Sequence, residues 1–556
     1  MVEPSAGRTH RILSALAAAS ILAGLRTVWL HTTTDSAGLG LVVSLGYAGL
    51  LTAVVVSLVA RRRRTLVWVD QSVLLIAICI EAVQFPRFTS TSYRYPGDEG
   101  ILTWHAIDVL RHGHDPYRYH WAGAVAQVPT QLMNGRVVDR FVYPPVSAVL
   151  GAGLDHVSTN LGTPSVLAGL ALIATALVLF LAFPVPLRPL AVLVVFGIAF
   201  ETARAVSGAP GIIAVPLLAG ALWRWPQIAR GGRLGTGGVV RALCLGLALA
   251  TYQLSWFLLP FVAVALWRVR RDGLASRPAA LAVLRYVAIA VAVFAVVNAP
   301  FAIAGFSDWW HGLTGVLTEH ALIYGPGIAM ISGNLLPGSG ALDFFTYAAA
   351  LAYLALLVAV AAVPARLAAA SVVLPIVVFW LAIRSEDTYY VVFAPLWVLA
   401  VVTATETDFS GARPLSFLAR LDRRWKMGLL GASISAVVAC LATALATPSP
   451  LQMTVVSRAS VVSARTGAAG PLQTIGVLVH NRSTHIVRPS FLLLGDAALG
   501  EFWTVQQGPA ELRPGQSATY QLRNPDRGFE PPARARLRLE AVSDHPQTLS
   551  SVGISR

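Results

Sequence analysis

Long apolar runs separated by short polar segments make up most of this chain. A helix needs about 20 mostly apolar residues to cross the hydrocarbon core of a bilayer. We expect spans near residues 12–30, 37–60, 65–83, 164–183, 189–205, 208–224, 280–304, 341–363, 366–384, 388–405 and 427–446. The composition agrees, since 56% of the residues are hydrophobic and only 12% are charged. The pattern predicts an all-α polytopic membrane protein with about 11–13 transmembrane helices.

One further apolar run, residues 242–267, differs from the others because arginines flank both of its ends. A single crossing would put one arginine cluster on each side of the membrane. The polar step Thr251–Ser255 interrupts the run, so we predict two short half-spans that enter the membrane and return. Irregular backbone at that depth is tolerated only beside protein or a water-filled cavity. The break is therefore predicted to face a buried site.

The net charge of +15 falls in short clusters between the apolar runs. These clusters are Arg61–Arg64, Arg230–Arg241, Arg268–Arg271 and Arg420–Lys426. Such clusters mark cytoplasmic loops under the positive-inside rule, so they do not indicate a nucleic-acid partner. The rule places the N-terminus in the cytoplasm and the C-terminus outside. A single lysine among many arginines, alanines and valines indicates a GC-rich genome and hence a bacterial plasma membrane.

Residues 84–162, between the third and fourth spans, are too polar to cross and are predicted to form an extracytoplasmic catalytic loop. Asp98 and Glu99 follow a Pro-Gly turn, and the amphipathic run Ile101–Leu110 after them is typical of a helix lying in the membrane interface. A carboxylate there suits a general base that deprotonates an acceptor hydroxyl. Asp98 can equally cap the helix, and the two roles are compatible.

The chain changes character after Pro448. Apolar and polar residues alternate in Thr474–His480 and in Ala533–Glu540, with turn residues between. This period of two is the pattern of β-strands. We predict a transmembrane domain over residues 1–446 and a small extracytoplasmic all-β sandwich domain over residues 447–556.

Metal-binding motifs are not evident. Cys79, Cys244 and Cys440 lie inside apolar runs without a ligand-like spacing. Four histidines crowd the loop, but their spacing fits no metal-binding pattern; they are His105, His112, His114 and His120. We assign no metal ligands, require no cofactor and leave a divalent cation open.

Four motifs in this order resemble GT-C glycosyltransferases, which are polytopic enzymes that use polyprenyl-phosphate sugars. They are Asp98-Glu99, Gly113–Tyr117, Phe141–Pro145 and Gly246–Pro260. The resemblance is closest to the mannosyltransferase-like family 87, with some likeness to family 39, and covers roughly residues 65–400. In family 87 a lysine often precedes the glutamine of the broken helix, whereas this chain has Tyr252 before Gln253.

The resemblance implies a GT-C-like fold and an inverting transfer with Asp98 as base and Glu99 beside it. The donor phosphate then needs cationic or hydrogen-bonding neighbours, for which Arg204, Arg384 and His320 are candidates, since each lies near an outer end of a span or in an outer loop. Arg384 can instead form a local salt bridge with Glu386 and Asp387. The remaining substrate-binding candidates are Tyr143, Tyr252, Gln253 and Tyr389.

We therefore expect a membrane enzyme that moves a sugar, mannose or arabinose, from a polyprenyl-phosphate donor to a cell-envelope glycan or glycolipid. The alternative is a transporter or lipid-linked sugar flippase, in which Asp70, Glu81 and Glu201 would be the coupling residues. We find no two-fold hydropathy repeat of the kind that many transporters have. A third reading, a membrane scaffold that displays the β-sandwich, gives the Asp98-Glu99 loop no role.

Overall fold

The computed structural model describes residues 4–88, 95–121, 123, 125, 130–154, 162–415, 420, 422–462, 469–495, 498–525 and 537–554. Over the first part of the chain its elements are almost all helices. They are α1 (Pro4–Asp35), α2 (Ala37–Val59), α3 (Arg63–Ala82), α4 (Phe85–Phe88), α5 (Asp98–Arg111), α6 (Val146–Leu154), α7 (Thr163–Ala182), α8 (Pro189–Val195), α9 (Ala199–Val206), α10 (Pro210–Leu222), α11 (Gly235–Leu249), α12 (Leu254–Arg270), α13 (Ser276–Ala304), α14 (Phe306–Thr318), α15 (Met330–Asn334), α16 (Asp343–Ala362), α17 (Pro364–Leu367), α18 (Leu374–Val377), α19 (Thr388–Val391), α20 (Ala394–Thr403) and α21 (Arg423–Ala446).

Seven helices of the described chain are long and apolar enough to cross a membrane, or nine if each of two bent pairs counts as one span. The bent pairs are Val185–Val195 with Ala199–Val206, and Pro364–Val372 with Leu374–Leu381. The expected 11–13 spans are reached only by adding shorter apolar helices such as α10 and α11. At about 1.5 Å per residue these helices are shorter than the hydrocarbon core, and hydropathy alone does not reveal that.

The basic loops meet at one end of the helical part. Arg230 pairs with Asp408 at 2.6 Å, Arg268 Nε donates to the Arg413 carbonyl oxygen at 2.5 Å, and Arg270 donates to the Pro226 carbonyl oxygen. These contacts bring together both ends of the broken run and the loops on either side of it. The run does form two helices, α11 and α12, separated by a break at residues 250–253. The loop before α11 therefore lies beside the end of α12, as a run that enters and returns requires.

Seven strands follow α21 and form the β-domain: β2 (Leu451–Val462), β3 (Ala469–Asn481), β4 (Ser490–Gly495), β5 (Ala498–Gln507), β6 (Ser517–Arg523), β7 (Leu537–Asp544) and β8 (Gln547–Ile554). With the short β1 (Gly338–Ser339) they pair antiparallel in the order β1-β8-β7-β4-β5-β6-β3-β2. The first half of β5 pairs with β4 and its second half with β6, so β5 joins two halves of the sheet. One core lies between the halves, built from residues such as Ile475, Val477, Phe491, Leu539 and Tyr520. An all-β domain therefore follows the helices, as the alternation predicts.

The β-domain is joined to the helical part by backbone pairing as well as by packing. Gly338 and Ser339 pair with Ser550 and Leu549 of β8, and Ser551 N donates to the Pro337 carbonyl oxygen at 2.8 Å. Gly338 has φ +126°, and a Cβ there would overlap the Leu549 carbonyl oxygen, so the close approach requires glycine. A buried apolar cluster fills the junction, with members from both parts including Met133, Phe345, Ile383, Val542 and Leu549.

Candidate active site

A cavity of ≈ 660 Å³ lies between the helical part and the β-domain. Its volume is in the range of small-ligand sites. All but one of the site residues expected from the sequence line it: Asp98, Glu99, Tyr143, Arg204, Tyr252, Gln253, Arg384 and Tyr389. The acidic loop, both arginines and the helix break therefore converge on one cavity, although they come from widely separated parts of the chain.

Helix α5 presents the two acids to this cavity. The helix is preceded by the extended Gly97 and begins at Asp98, so both carboxylates stand in its first turn, where the helix dipole favours negative charge. Asp98 is not the N-cap, and its side chain does not cap the helix. Its Oδ2 instead accepts from Thr130 N at 2.9 Å, which fixes the carboxylate to a different stretch of the loop. A Cβ at Gly100 would overlap the Ser207 carbonyl oxygen, so glycine lets α5 approach the end of α9.

An alternating network of charges surrounds Asp98. Arg384 pairs with Glu386 and donates to Thr130 Oγ1 at 3.2 Å, so it reaches the residue that holds Asp98. Arg204 lies 3.3 Å from Glu99 and 4.0 Å from Glu386. The local Arg384–Glu386 salt bridge expected as an alternative is therefore present, and the same arginine also lines the cavity. We call Asp98, Glu99, Arg204, Arg384 and Glu386 the helical wall.

The three carboxylates of the helical wall have different proton affinities. Burial raises the pKa of Asp98, against the opposing effects of the Thr130 hydrogen bonds and of Arg384. Burial likewise raises the pKa of Glu99 to about 7, although Arg204 opposes it. Burial acts to raise the pKa of Glu386 too, but Arg384 and Arg204 outweigh it and hold that pKa below its usual value. The pKa of Glu386 is therefore shifted toward the ionised form, whereas burial shifts the pKa values of Asp98 and Glu99 toward the protonated form.

Two residues of the helix break, Tyr252 and Gln253, line the cavity, and Gln253 also tethers the break to its neighbours. Tyr252 is buried against Gly211, where a Cβ would lie 3.2 Å from the ring. Gln253 donates through Nε2 to the Val142 carbonyl oxygen and, at 3.2 Å, to that of Leu313. Its amide therefore ties the break to the loop that carries Tyr143. The sequence predicts that Gln253 binds substrate; it lines the cavity, and its amide donors are occupied by these two backbone carbonyls.

His320 lies outside the cavity lining. Its Nδ1 is 2.9 Å from the Asp544 carbonyl oxygen, and its ring packs against His545 at 4.9 Å. It belongs to the junction between the helical part and the β-domain. Proximity to an outer loop identified it as a candidate, but the folded β-domain occupies that position.

The histidines of the loop have other neighbours. His120 Nδ1 lies 2.9 Å from Asp139, and His105 stacks on Trp121 at 5.2 Å. In the described part of the chain, no three His, Cys, Asp or Glu residues are placed to hold a metal ion together.

The buried acids that a transporter would use lie away from the cavity lining. Asp70 accepts from Ser14 Oγ and is bonded to His10 Nε2, both at 2.6 Å. Glu81 accepts from Gln84 at 3.0 Å. Glu201 is buried near the start of α9.

Several lining residues were not expected from the sequence. Thr130 holds Asp98, Glu386 links the two arginines, and Arg538 and Glu540 come from the β-domain. The charged alternation Arg538–Glu540 within β7 was visible in the sequence. The sequence does not show which face of β7 meets the helical part.

The fold and the cavity define a multi-pass helical membrane protein whose charged cavity is closed by a β-domain. No protein-family model and no curated protein matches the chain. Among solved structures, it is similar to the crystal structure of ArnT from Cupriavidus metallidurans bound to undecaprenyl phosphate, with 15% sequence identity and a TM-score of 0.34. The match covers 66% of this chain, and the chain spans 64% of the length of that structure.

Proposed function

We propose that this protein is a membrane glycosyltransferase that moves a sugar from a polyprenyl-phosphate donor to a hydroxyl of a glycan or glycolipid. The observation that carries the proposal is the convergence of Asp98, Arg384 and Arg204 on one cavity at the end of the helical part. A base candidate beside two cations is what transfer from a phosphate leaving group requires. The resemblance of the loop motifs to GT-C enzymes supports the same reaction.

In the proposed reaction the acceptor hydroxyl attacks the anomeric carbon from the face opposite the phosphate. The hydroxyl proton passes to the Asp98 carboxylate as the new C–O bond forms. The bond between the anomeric carbon and the phosphate oxygen breaks, and its electron pair leaves with the polyprenyl phosphate. The configuration at the anomeric carbon is therefore inverted.

The arginines have a separate role in this scheme. The departing phosphate gains negative charge, which Arg384 and Arg204 stabilise from fixed positions. Glu386 holds the two guanidinium groups in place, since it contacts both. The phosphate leaves already ionised, so the scheme needs no strong acid. A divalent cation beside the phosphate remains compatible with it.

The donor sugar is expected to be mannose or arabinose. The test is transfer from radiolabelled decaprenyl-phosphate mannose and decaprenyl-phosphate arabinose by the purified full-length protein and by Asp98→Asn. We expect a glycosidic product with the wild type and its loss with a well-folded Asp98→Asn. Full activity in the variant would refute the base assignment.

A second assay separates this reaction from transport. Flux of the lipid-linked sugar in proteoliposomes, without any glycosidic product, would favour a flippase. In that case we would expect Asp70→Asn or Glu81→Gln to reduce the flux.

A further inference from the structure

One face of the β-domain sheet forms part of the cavity. Side chains alternate between the two faces of a strand. On β7, Leu537, Leu539 and Ala541 point into the β-domain core. The alternate residues of the strand, Arg538, Glu540 and Val542, line the cavity. Leu492 and Leu494 of β4 pair with Glu540 and Arg538 and line it too. We call these five cavity residues the sheet wall.

The sheet wall carries one ion pair. Arg538 lies 2.9 Å from Glu540, and their side chains are 29% and 8% exposed. Arg538 also donates to Asn334 Oδ1 at 3.2 Å, on the helical side of the cavity. Its Nε is buried and has no hydrogen-bond partner among the described residues. A half-buried ion pair is weak evidence for stability, and the exposed part of the Arg538 side chain faces the cavity, where a ligand can reach it.

Glu540 can act as acceptor or donor toward that ligand. Burial raises the pKa of Glu540 to about 7, although Arg538 opposes the rise. The neighbouring Leu492, Leu494 and Val542 are apolar. Apolar surface with a few fixed polar groups is the usual composition of a small-molecule site, and it suits the mixed C–H and O–H faces of a sugar.

The position of the sheet wall indicates which substrate it meets. The polyprenyl tail of a donor stays in the bilayer, so the donor reaches the cavity from the helical part. The sheet wall belongs to the β-domain, which holds the opposite side of the cavity. The molecule that approaches along it is the one without a polyprenyl anchor.

We propose that Arg538 and Glu540 form the acceptor subsite, where they bind hydroxyl groups of the acceptor glycan while Asp98 deprotonates the hydroxyl that reacts. This inference rests on the proposed glycosyltransferase function. It makes the β-domain a determinant of acceptor specificity as well as a structural partner.

The test compares Arg538→Gln and Glu540→Gln with wild type in the full-length protein. The donors are the radiolabelled decaprenyl-phosphate sugars, and the probes for the acceptor are octyl mannosides and octyl arabinosides. Loss of a hydrogen bond to a charged group is expected to raise the acceptor KM by about tenfold or more. We expect the donor KM and the folding transition to change little.

A matched control is available in the same domain. Arg488 and Glu511 pair at 3.4 Å on the exposed surface, with side chains 72% and 42% exposed, outside the cavity lining. Arg488→Gln and Glu511→Gln should leave both KM values unchanged. A rise in the donor KM rather than the acceptor KM in Arg538→Gln would assign Arg538 to the donor and overturn the proposal, as would wild-type KM values in both cavity variants.

Equilibrium binding of the same octyl glycosides keeps the two proposals separate. If the wild type binds a glycoside that Arg538→Gln and Glu540→Gln do not bind, but forms no product with any donor, the subsite stands and the glycosyltransferase function fails. If the wild type forms product and the cavity variants bind glycosides like wild type, the subsite fails and the function stands. A wild type that neither binds nor transfers overturns both.

Discussion

The two walls of the cavity are built in different ways. The helical wall gathers charges from the first turn of α5, from α9 and from the loop before α19, so its geometry depends on three separate segments. The sheet wall takes both of its charges from one strand, two residues apart, and regular alternation suffices to aim them. A wall assembled from many segments can hold opposite charges at fixed distances, as a reaction requires. A wall made by one sheet face can change its side chains without rearranging separate segments, which suits the proposed role in binding an acceptor.

The largest expected effect is the loss of kcat in Asp98→Asn, which distinguishes the helical wall from the sheet wall. Loss of a general base typically costs about 10²–10⁴ in rate, and we expect the loss in kcat with little change in either KM. Glu540→Gln should change the acceptor KM instead. The matched control is Asp108→Asn, because Asp108 lies on the same helix but is exposed and outside the cavity lining. A similar kcat loss in Asp108→Asn would show that α5 was disturbed rather than the base.

Substitution of Arg384 is expected to have the second-largest effect on kcat. Arg384→Gln removes a fixed cation from the departing phosphate, and loss of one such donor costs about 10²–10³ in kcat. Arg384→Lys keeps the charge but loses the planar contact with Glu386 and Thr130, so its loss should be smaller. Steady-state kinetics with saturating acceptor measures both. Equal losses in the two variants would contradict an electrostatic role.

The pH dependence should reveal the coupling within the helical wall. Asp98 must be deprotonated to accept the hydroxyl proton, so the rate falls as the pH drops through its pKa. Burial raises that pKa above its ordinary value of 3.8, Arg384 lowers it and Glu386 raises it. We therefore expect the acidic limb of kcat to move to higher pH in Arg384→Gln and to lower pH in Glu386→Gln. Shifts in the same direction in both variants would place the titrating group elsewhere.

The smallest effect is expected from His320→Ala. This residue contacts the β-domain backbone and lies outside the cavity lining, so we expect kinetic constants within about twofold of wild type. Thermal unfolding of the variant reports the lost junction contact. A large rise in the donor KM would instead indicate that His320 binds the donor phosphate, and that donor contacts are not confined to the helical wall.

Much of the helical wall was predictable from the sequence. Asp98 and Glu99 stand out as charges in an apolar chain, and the polar step at Thr251–Ser255 marks the helix break because buried backbone must be satisfied. Arg384 was identified by its place at a span end. Glu386 contacts both arginines only because separate segments of the chain come together in the fold. Local sequence patterns do not show such distances.

The sheet wall and the junction were not predictable in the same way. Alternation shows that Arg538 and Glu540 share a face of β7, but docking of the β-domain decides whether that face meets water or the cavity. The same docking removes His320 from the site. The number of spans depends on a point that hydropathy does not reveal, because the expected 11–13 are reached only when shorter apolar helices such as α10 and α11 are counted.

The pairing of β8 with Gly338 and Ser339 has a consequence for biosynthesis. The ribosome makes all five residues of the helical wall before it makes β8, residues 547–554. Leu549 of β8 nevertheless lines the cavity, and the β8 backbone joins the β-domain to the helical part. A chain truncated before these residues that already carries Asp98 and both arginines therefore lacks a closed cavity. Under the proposed function, catalytic competence would require residues 547–554 to be made and docked against the helical part.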